Sequence, residues 1–191
     1  GGIISSVVPQ ITTIVKLAVE KILKKNVLVV GAGIKTGLNI RIDNPAQLGS
    51  DLVVDSVAAI VEYPAPLLIF DLGTANTVCV IDKNKNYIGG MIYPGIGVSL
   101  DSLTAHASQL GGISIEAPEH MIGKNTTECM KSGLIYSSAA AMDGIIDRLQ
   151  EQLGGEATVI ATGGSVVYGR EAMEHLSEIA TVVYLELDLA N

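Results

Sequence analysis

The 191-residue chain has no tryptophan, one phenylalanine and only two cysteines, Cys79 and Cys129. With aromatics this scarce, a buried core has to be aliphatic, and the 48% hydrophobic content supplies it as Ile, Val, Leu and Ala. Two cysteines are too few for a disulfide framework and fit a reducing compartment, so the expected location is the cytoplasm. Also missing is an uninterrupted apolar run of the roughly 18–20 residues a membrane span requires, because Lys16, Asp55, Glu62 and Asp71 break the candidates. No basic stretch followed by an apolar one opens the chain, so neither a signal peptide nor a membrane partner is expected. Cations are scarce after residue 50: residues 51–191 carry six Lys/Arg against eighteen acids, while residues 1–50 carry six against two, for a net charge of −8. Nucleic-acid binding needs clustered cations to displace counterions, so an acidic body excludes it as a general function. Lys21, Lys24 and Lys25 close a predicted helix, where cations complement the helix dipole.

What remains is a length sufficient for one large or two small domains and an alternation of strand and helix patterns. Ile3–Val8 reads as a strand ended by Pro9, Ile11–Leu23 as a helix and Val27–Val30 as a buried strand, together a β-α-β unit. A loop-rich stretch follows, with an alternating piece at Leu38–Ile42 and an Asn44-Pro45 turn, and then a helix over Asp51–Tyr63. Beyond Pro66 the pattern changes. Leu67–Asp71, Thr77–Asp82 and Tyr87–Ile92 are strands joined by short turns, which predicts an antiparallel meander. Ser99–Gln109 reads as a helix, and so does Thr126–Leu153, with a break expected near Gly133. Val159–Ala161 is a strand, Arg170–Ile179 a helix and Thr181–Leu187 a last strand. Residues 1–30 match only the tail of this later order. If the fold is a duplicated α/β one, residues 1–64 are the remainder of a first domain lacking its meander and 65–191 are a second.

The sharpest motif is Phe70-Asp71-Leu72-Gly73-Thr74-Ala75-Asn76-Thr77. A carboxylate at a strand end followed by a Gly-Thr turn brings a cation ligand, backbone N–H groups and hydroxyls into one small volume, the set that phosphate chemistry uses. The same residues also suit a plain hairpin turn in which Asp71 and Thr74 bond only local backbone. Gly49-Ser50-Asp51-Leu52 opens a helix, with Ser50 or Asp51 as the expected N-cap, or with Asp51 placed to orient a substrate hydroxyl. Gly89-Gly90-Met91-Ile92-Tyr93-Pro94-Gly95 and Ala161-Thr162-Gly163-Gly164-Ser165 are glycine-rich turns ahead of helices, able to bring backbone close to a nucleotide. Ile122-Gly123-Lys124-Asn125-Thr126-Thr127 lacks the first glycine and the preceding strand of a Walker A loop. His106, His120 and His175 show no metal-ligand spacing, and Cys79 reads as a small core residue.

Taken in order, these motifs resemble the type III pantothenate kinases, whose fold is the actin-like (ribonuclease H-like) ATPase fold. The resemblance runs from Ile3-Ile4-Ser5-Ser6-Val7-Val8-Pro9 through Asp43-Asn44-Pro45, Gly49-x-Asp51 and Asp71-x-Gly73-Thr74 to Gly123-Lys124-Asn125-Thr126 and Thr162-Gly163-Gly164. It implies transfer of the ATP γ-phosphoryl group to pantothenate, Mg2+ with the nucleotide, a monovalent cation (K+ or NH4+) and a homodimer. Carried over by residue, it implies Asp51 as proton acceptor and Asp71 as metal ligand. It further implies Thr74 as an ATP contact, and Gly49, Ser50, Asp51, Leu52 and Thr126 as the pantothenate site. Three departures stand out. The family's opening Asp-x-Gly-Asn-Thr turn has no match. Leu52 replaces the Arg that offers donors to the pantothenate carboxylate, and Ile42 replaces a Tyr. These departures keep two alternatives in view: a non-catalytic or regulatory relative, and a kinase of another small hydroxylated substrate.

Overall fold

Five of the six residues Leu67–Leu72 are buried, and the six form the strand around which the large sheet is arranged. The computed structural model describes residues 1–31 and 34–165 and the backbone of 182–184. Its elements are β1 (Gly2–Ile4), α1 (Pro9–Leu23), β2 (Val27–Val29), β3 (Asn39–Ile40), a 3-10 turn (Pro45–Gln47) and α2 (Ser50–Glu62). There follow β4 (Leu67–Leu72), β5 (Ala75–Ile81), β6 (Asn86–Pro94), α3 (Ile96–His106), α4 (Thr126–Leu153), β7 (Thr158–Thr162) and β8 (Val182–Tyr184).

One sheet runs β3-β6-β5-β4-β7-β8. The β4–β5 and β5–β6 pairs are antiparallel, as the short connections dictate, while β4–β7 and β7–β8 are parallel. β1 and β2 pair in parallel as a separate two-stranded sheet joined through α1, the same parallel pairing that β7 and β8 show. Side chains alternate across a strand, so β4 divides its residues between two cores. Leu68, Phe70 and Leu72 pack with Val78, Val159 and with Met142 and Ile146 of α4. Leu67 and Ile69 pack on the other face with Cys79, Ile160 and with Ala59 of α2. The sheet is thus sandwiched between α2 and α4, and the boundary expected after residue 64 separates α2 from the sheet it lies on.

The predicted meander is present. Other details differ, for physical reasons. α4 is one helix of 28 residues, with no break at Gly133. An interior glycine costs about 1 kcal/mol relative to alanine, and the packing of Met130, Leu134 and Ile135 against Ile96 and Leu100 of α3 offsets it. The first strand stops at Ile4 because Ser6 Oγ accepts the Val8 N–H and Pro9 starts α1; proline suits a first helical turn, where no N–H is needed. α3 begins at Ile96, immediately after Gly95, three residues before the expected start. Of the last predicted strand, residues 182–184 are in β8, while the predicted helix over 170–179 lies outside the described residues.

Candidate active site

Asp71 is the last polar residue on β4 before the hairpin. Alternation places it with Leu67 and Ile69, on the face covered by α2. Its cross-strand neighbours on that face are Thr77 of β5 and Thr162 of β7. Thr77 Oγ1 is buried without a hydrogen-bond partner. A carboxylate flanked by two hydroxyls, one of them unsatisfied, is a set of oxygen donors suited to a hard cation.

Three glycine turns close on this strand end. Gly163, at φ +100°, lies so near Asp71 that an added Cβ would collide with Asp71 Oδ1 and the Leu72 backbone. The Ser165 N–H donates to the Leu72 carbonyl at 2.8 Å, which ties the turn after β7 to the end of β4. On the other side the Gly95 N–H donates to the Thr74 carbonyl at 3.0 Å, and a Cβ on Gly95 would overlap the Gly73 and Thr74 carbonyls. α3 therefore starts directly behind the Gly73-Thr74 turn, with the positive end of its dipole toward it. Such a junction at the carboxyl end of a sheet strand is where α/β folds take anionic ligands. Thr74 is exposed in this turn, open to a ligand.

Across from β4, α2 contributes two carboxylates one turn apart, Asp51 and Asp55. Both lie on the side toward Asp71. Burial and then the charge of Asp51 push the Asp71 carboxyl up. Burial, then Asp71, then Asp51 push the Asp55 carboxyl up to about 6. Asp51 and Asp71 are thus near enough for the charge of one to raise the carboxyl of the other. Asp55 escaped that reading, although its i, i+4 spacing from Asp51 on a predicted helix was a usable signal. Among the described residues no three His, Cys, Asp or Glu side chains gather closely enough to hold a metal ion. A cation here therefore needs hydroxyl, carbonyl, water or phosphate oxygens beside Asp71.

The head of α2 differs from expectation. Gly49, not Ser50 or Asp51, is the N-cap, and no side chain caps the helix. Asp51 Oδ1 instead accepts the N–H of Leu52 at 2.9 Å, inside the first turn. A Cβ on Gly49 would collide with that oxygen, so the glycine leaves room for the carboxylate. Leu52 and Ile42 are partly buried and pack with Leu38, Ile40 and Leu48 against the apolar cluster under α2. A cavity of about 290 Å3 lies beside them, bounded by Val30, Ile34, Leu48, Ser50 and Val53. Thr126 is placed elsewhere. It opens α4, exposed, next to Asn125, whose Oδ1 caps the helix through the Glu128 N–H at 2.9 Å. α4 lies on the opposite face of the sheet from α2. Cys79 is buried, with its thiol pushed up to about 12, and is the inert core residue expected.

Residues 1–148 match the sequence profile of the type III pantothenate kinase family. A type III pantothenate kinase of Bacillus cytotoxicus is 46% identical over 164 residues, covering 86% of this chain and 63% of the relative's own length. Among solved structures, a Campylobacter jejuni protein described as a Baf family transcriptional activator superposes with a TM-score of 0.59 at 18% identity, covering 97% of this chain and 75% of that one. The ADPNP-bound activator of the 2-hydroxyisocaproyl-CoA dehydratase from Clostridium difficile superposes with a TM-score of 0.50 at 12% identity, covering 92% and 75%. These two likenesses concern the fold, and the α/β, actin-like class expected from the sequence is the class of this chain.

Proposed function

Because the chain belongs to the type III pantothenate kinase family, we propose that its protein phosphorylates pantothenate to 4'-phosphopantothenate with ATP, the first step of coenzyme A synthesis. The chain spans 63% of the length of the curated relative it matches. The observation that carries the proposal is the end of β4, where Asp71 lies between Thr77 and Thr162 beside the Gly73-Thr74 turn and within the charge influence of Asp51 on α2.

In this reading residues 1–64 carry the proton acceptor and the β4–β5 hairpin with its neighbouring turns carries the phosphate site. Asp51, at the head of α2 beside Gly49 and Ser50, receives the pantothenate hydroxyl. Its oxygen attacks the γ-phosphorus, the bond from that phosphorus to the β–γ bridging oxygen breaks, and ADP leaves. Asp51 orients the hydroxyl and takes its proton, a supporting role in a reaction governed by positioning and charge. Gly73 and Thr74 offer backbone and hydroxyl donors to the phosphates, assisted by the start of α3. Asp71, with the unpartnered Thr77 Oγ1 beside it, fits a monovalent cation such as K+ or NH4+. Mg2+, which keeps several waters and phosphate oxygens in its shell, would enter with ATP and neutralise phosphate charge there. Thr126, at the head of α4, is assigned to pantothenate, and in a homodimer a second copy would bring it to an Asp51. A cytoplasmic enzyme is the matching location.

Asp51→Asn in the complete enzyme should lower kcat roughly 10²–10⁴-fold, with ATP affinity by calorimetry nearly unchanged. A variant that turns over at the parent rate overturns the assignment. One observation favours a second reading: Leu52 and Ile42 face apolar neighbours, not a carboxylate. Higher kcat/KM for the neutral amide of pantothenate than for pantothenate itself would favour this acceptor class.

A further inference from the structure

The Ser5-Ser6 pair after β1 has no role in the chemistry above, yet it is bonded to the residue next to Asp51. Ser50 Oγ donates to the Ser6 carbonyl at 3.1 Å and accepts from Ser5 Oγ at 3.2 Å. The loop it grips is itself held. Ser6 Oγ accepts the Val8 N–H at 3.2 Å, and Thr12 Oγ1 of α1 lies 2.8 Å from both Ser6 Oγ and the Val8 carbonyl. Val7 runs alongside, its Cγ1 lying 3.7 Å from where a Cβ of Gly49 would stand. On the other side of Ser50, the Asp51 carboxylate is fastened to the Leu52 N–H at 2.9 Å. A continuous chain of hydroxyl and backbone bonds therefore runs from α1 through the Ser5–Val8 loop to the head of α2. It is a polar connection between the small β1–β2 unit and α2, which packs on the large sheet. Beside it lies the cavity bounded by Val30 of the small unit and Ser50 and Val53 of α2.

We infer that Ser50 is a positioning residue, whose hydroxyl clasps the Ser5–Ser6 loop to the first turn of α2 and so fixes both the bearing of Asp51 and the width of the adjoining cavity. Ser50 touches the loop and not the reacting atoms, so it acts through Asp51. In its kinetic part the inference rests on the kinase reading; in its structural part it does not. Losing the clasp removes two hydroxyl bonds and lets the small unit move relative to α2. The first turn of α2 and the Ser5–Val8 loop loosen together, while the β4–β5 hairpin, held by its own ladder, does not.

The test uses the complete protein carrying Ser50→Ala, Ser50→Thr and Ser5→Ala, compared with the parent. In Ser50→Ala, amide hydrogen exchange should quicken about fivefold in both 5–8 and 51–53, the effect of one net hydrogen bond, with 67–81 unchanged. Steady-state kinetics should show kcat with pantothenate down about three- to tenfold and the ATP KM unchanged. Ser50→Thr keeps the hydroxyl and should restore both readouts. Ser5→Ala removes the other donor and should give a smaller shift of the same kind, which keeps the test decisive if Ser50→Ala folds poorly. Parent-like exchange at residues 5–8 in Ser50→Ala overturns the clasp. Altered exchange with unaltered kcat overturns the positioning role. A parent that transfers no phosphoryl group to pantothenate overturns the function reading, and the exchange result still decides the clasp.

Discussion

Asp55 is partly buried and has the carboxylates of Asp71 and Asp51 near it, so its ionised form is the costly one. Its folded value of about 6 lies above the ordinary 3.8. The folded chain accordingly binds a proton there that the unfolded chain has released, which favours the fold at low pH. That support fades as pH rises from about 4 through 6. Removing the charge should reverse the loss. Asp55→Asn is expected to raise Tm at pH 8 by about 2–4 °C, since solvent screening holds the gain near 1 kcal/mol. The gain should shrink to nothing near pH 4 in thermal melts across that range, and a gain independent of pH would contradict the account from burial and like charge. This residue also marks a limit of reading sequence alone. Asp71 was legible because a carboxylate at a strand end beside Gly-Thr is a local pattern. Asp55 becomes significant only when α2 is laid on the sheet with that side inward. Leu52 and Ile42 are similar: their apolar character was plain, but their shared packing under α2 depends on the tertiary arrangement.

At the scale of elements, the site depends on close approach of backbones more than on side chains. Gly163 is held at φ +100° with Asp71 and the Leu72 backbone against it, so alanine there meets both a strained conformation and a collision. Gly163→Ala should destabilise the protein by about 2–4 kcal/mol in denaturant unfolding. It should also weaken ATP binding at least tenfold in calorimetry, because Asp71 has to turn away. Gly97, with nothing near its missing Cβ, provides the control, and Gly97→Ala should leave ATP binding unchanged. The glycine turns were visible as motifs and the hairpins followed from their short connections. Their meeting at one strand end was not visible, since it depends on β4 lying between β5 and β7. The continuity of α4 through Gly133 was illegible for a related reason: propensity argued for a break, and packing against α3 overrode it.

For the whole molecule, the location of Thr126 at the head of α4 and Asp51 at the head of α2 has a measurable outcome. If each acceptor site combines Asp51 of one copy with Thr126 of another, two inactive variants can repair each other. Asp51→Asn and Thr126→Ala, unfolded together and refolded as a mixture, should recover roughly a quarter of parental activity, since half the dimers are mixed and each holds one intact site. No recovery from a mixture shown to contain mixed dimers would place Thr126 outside the acceptor site. One feature of the architecture bears on such exchange between distant parts. α4, with its 28 residues, is about 42 Å long. Its first half rests on α3, which starts behind the Gly73-Thr74 turn, and its second half presses Met142 and Ile146 beneath Phe70, one residue from Asp71. One helix thus supports both the element behind the Gly73-Thr74 turn and the strand that carries Asp71, so a substitution that shortens it should unsettle the two together.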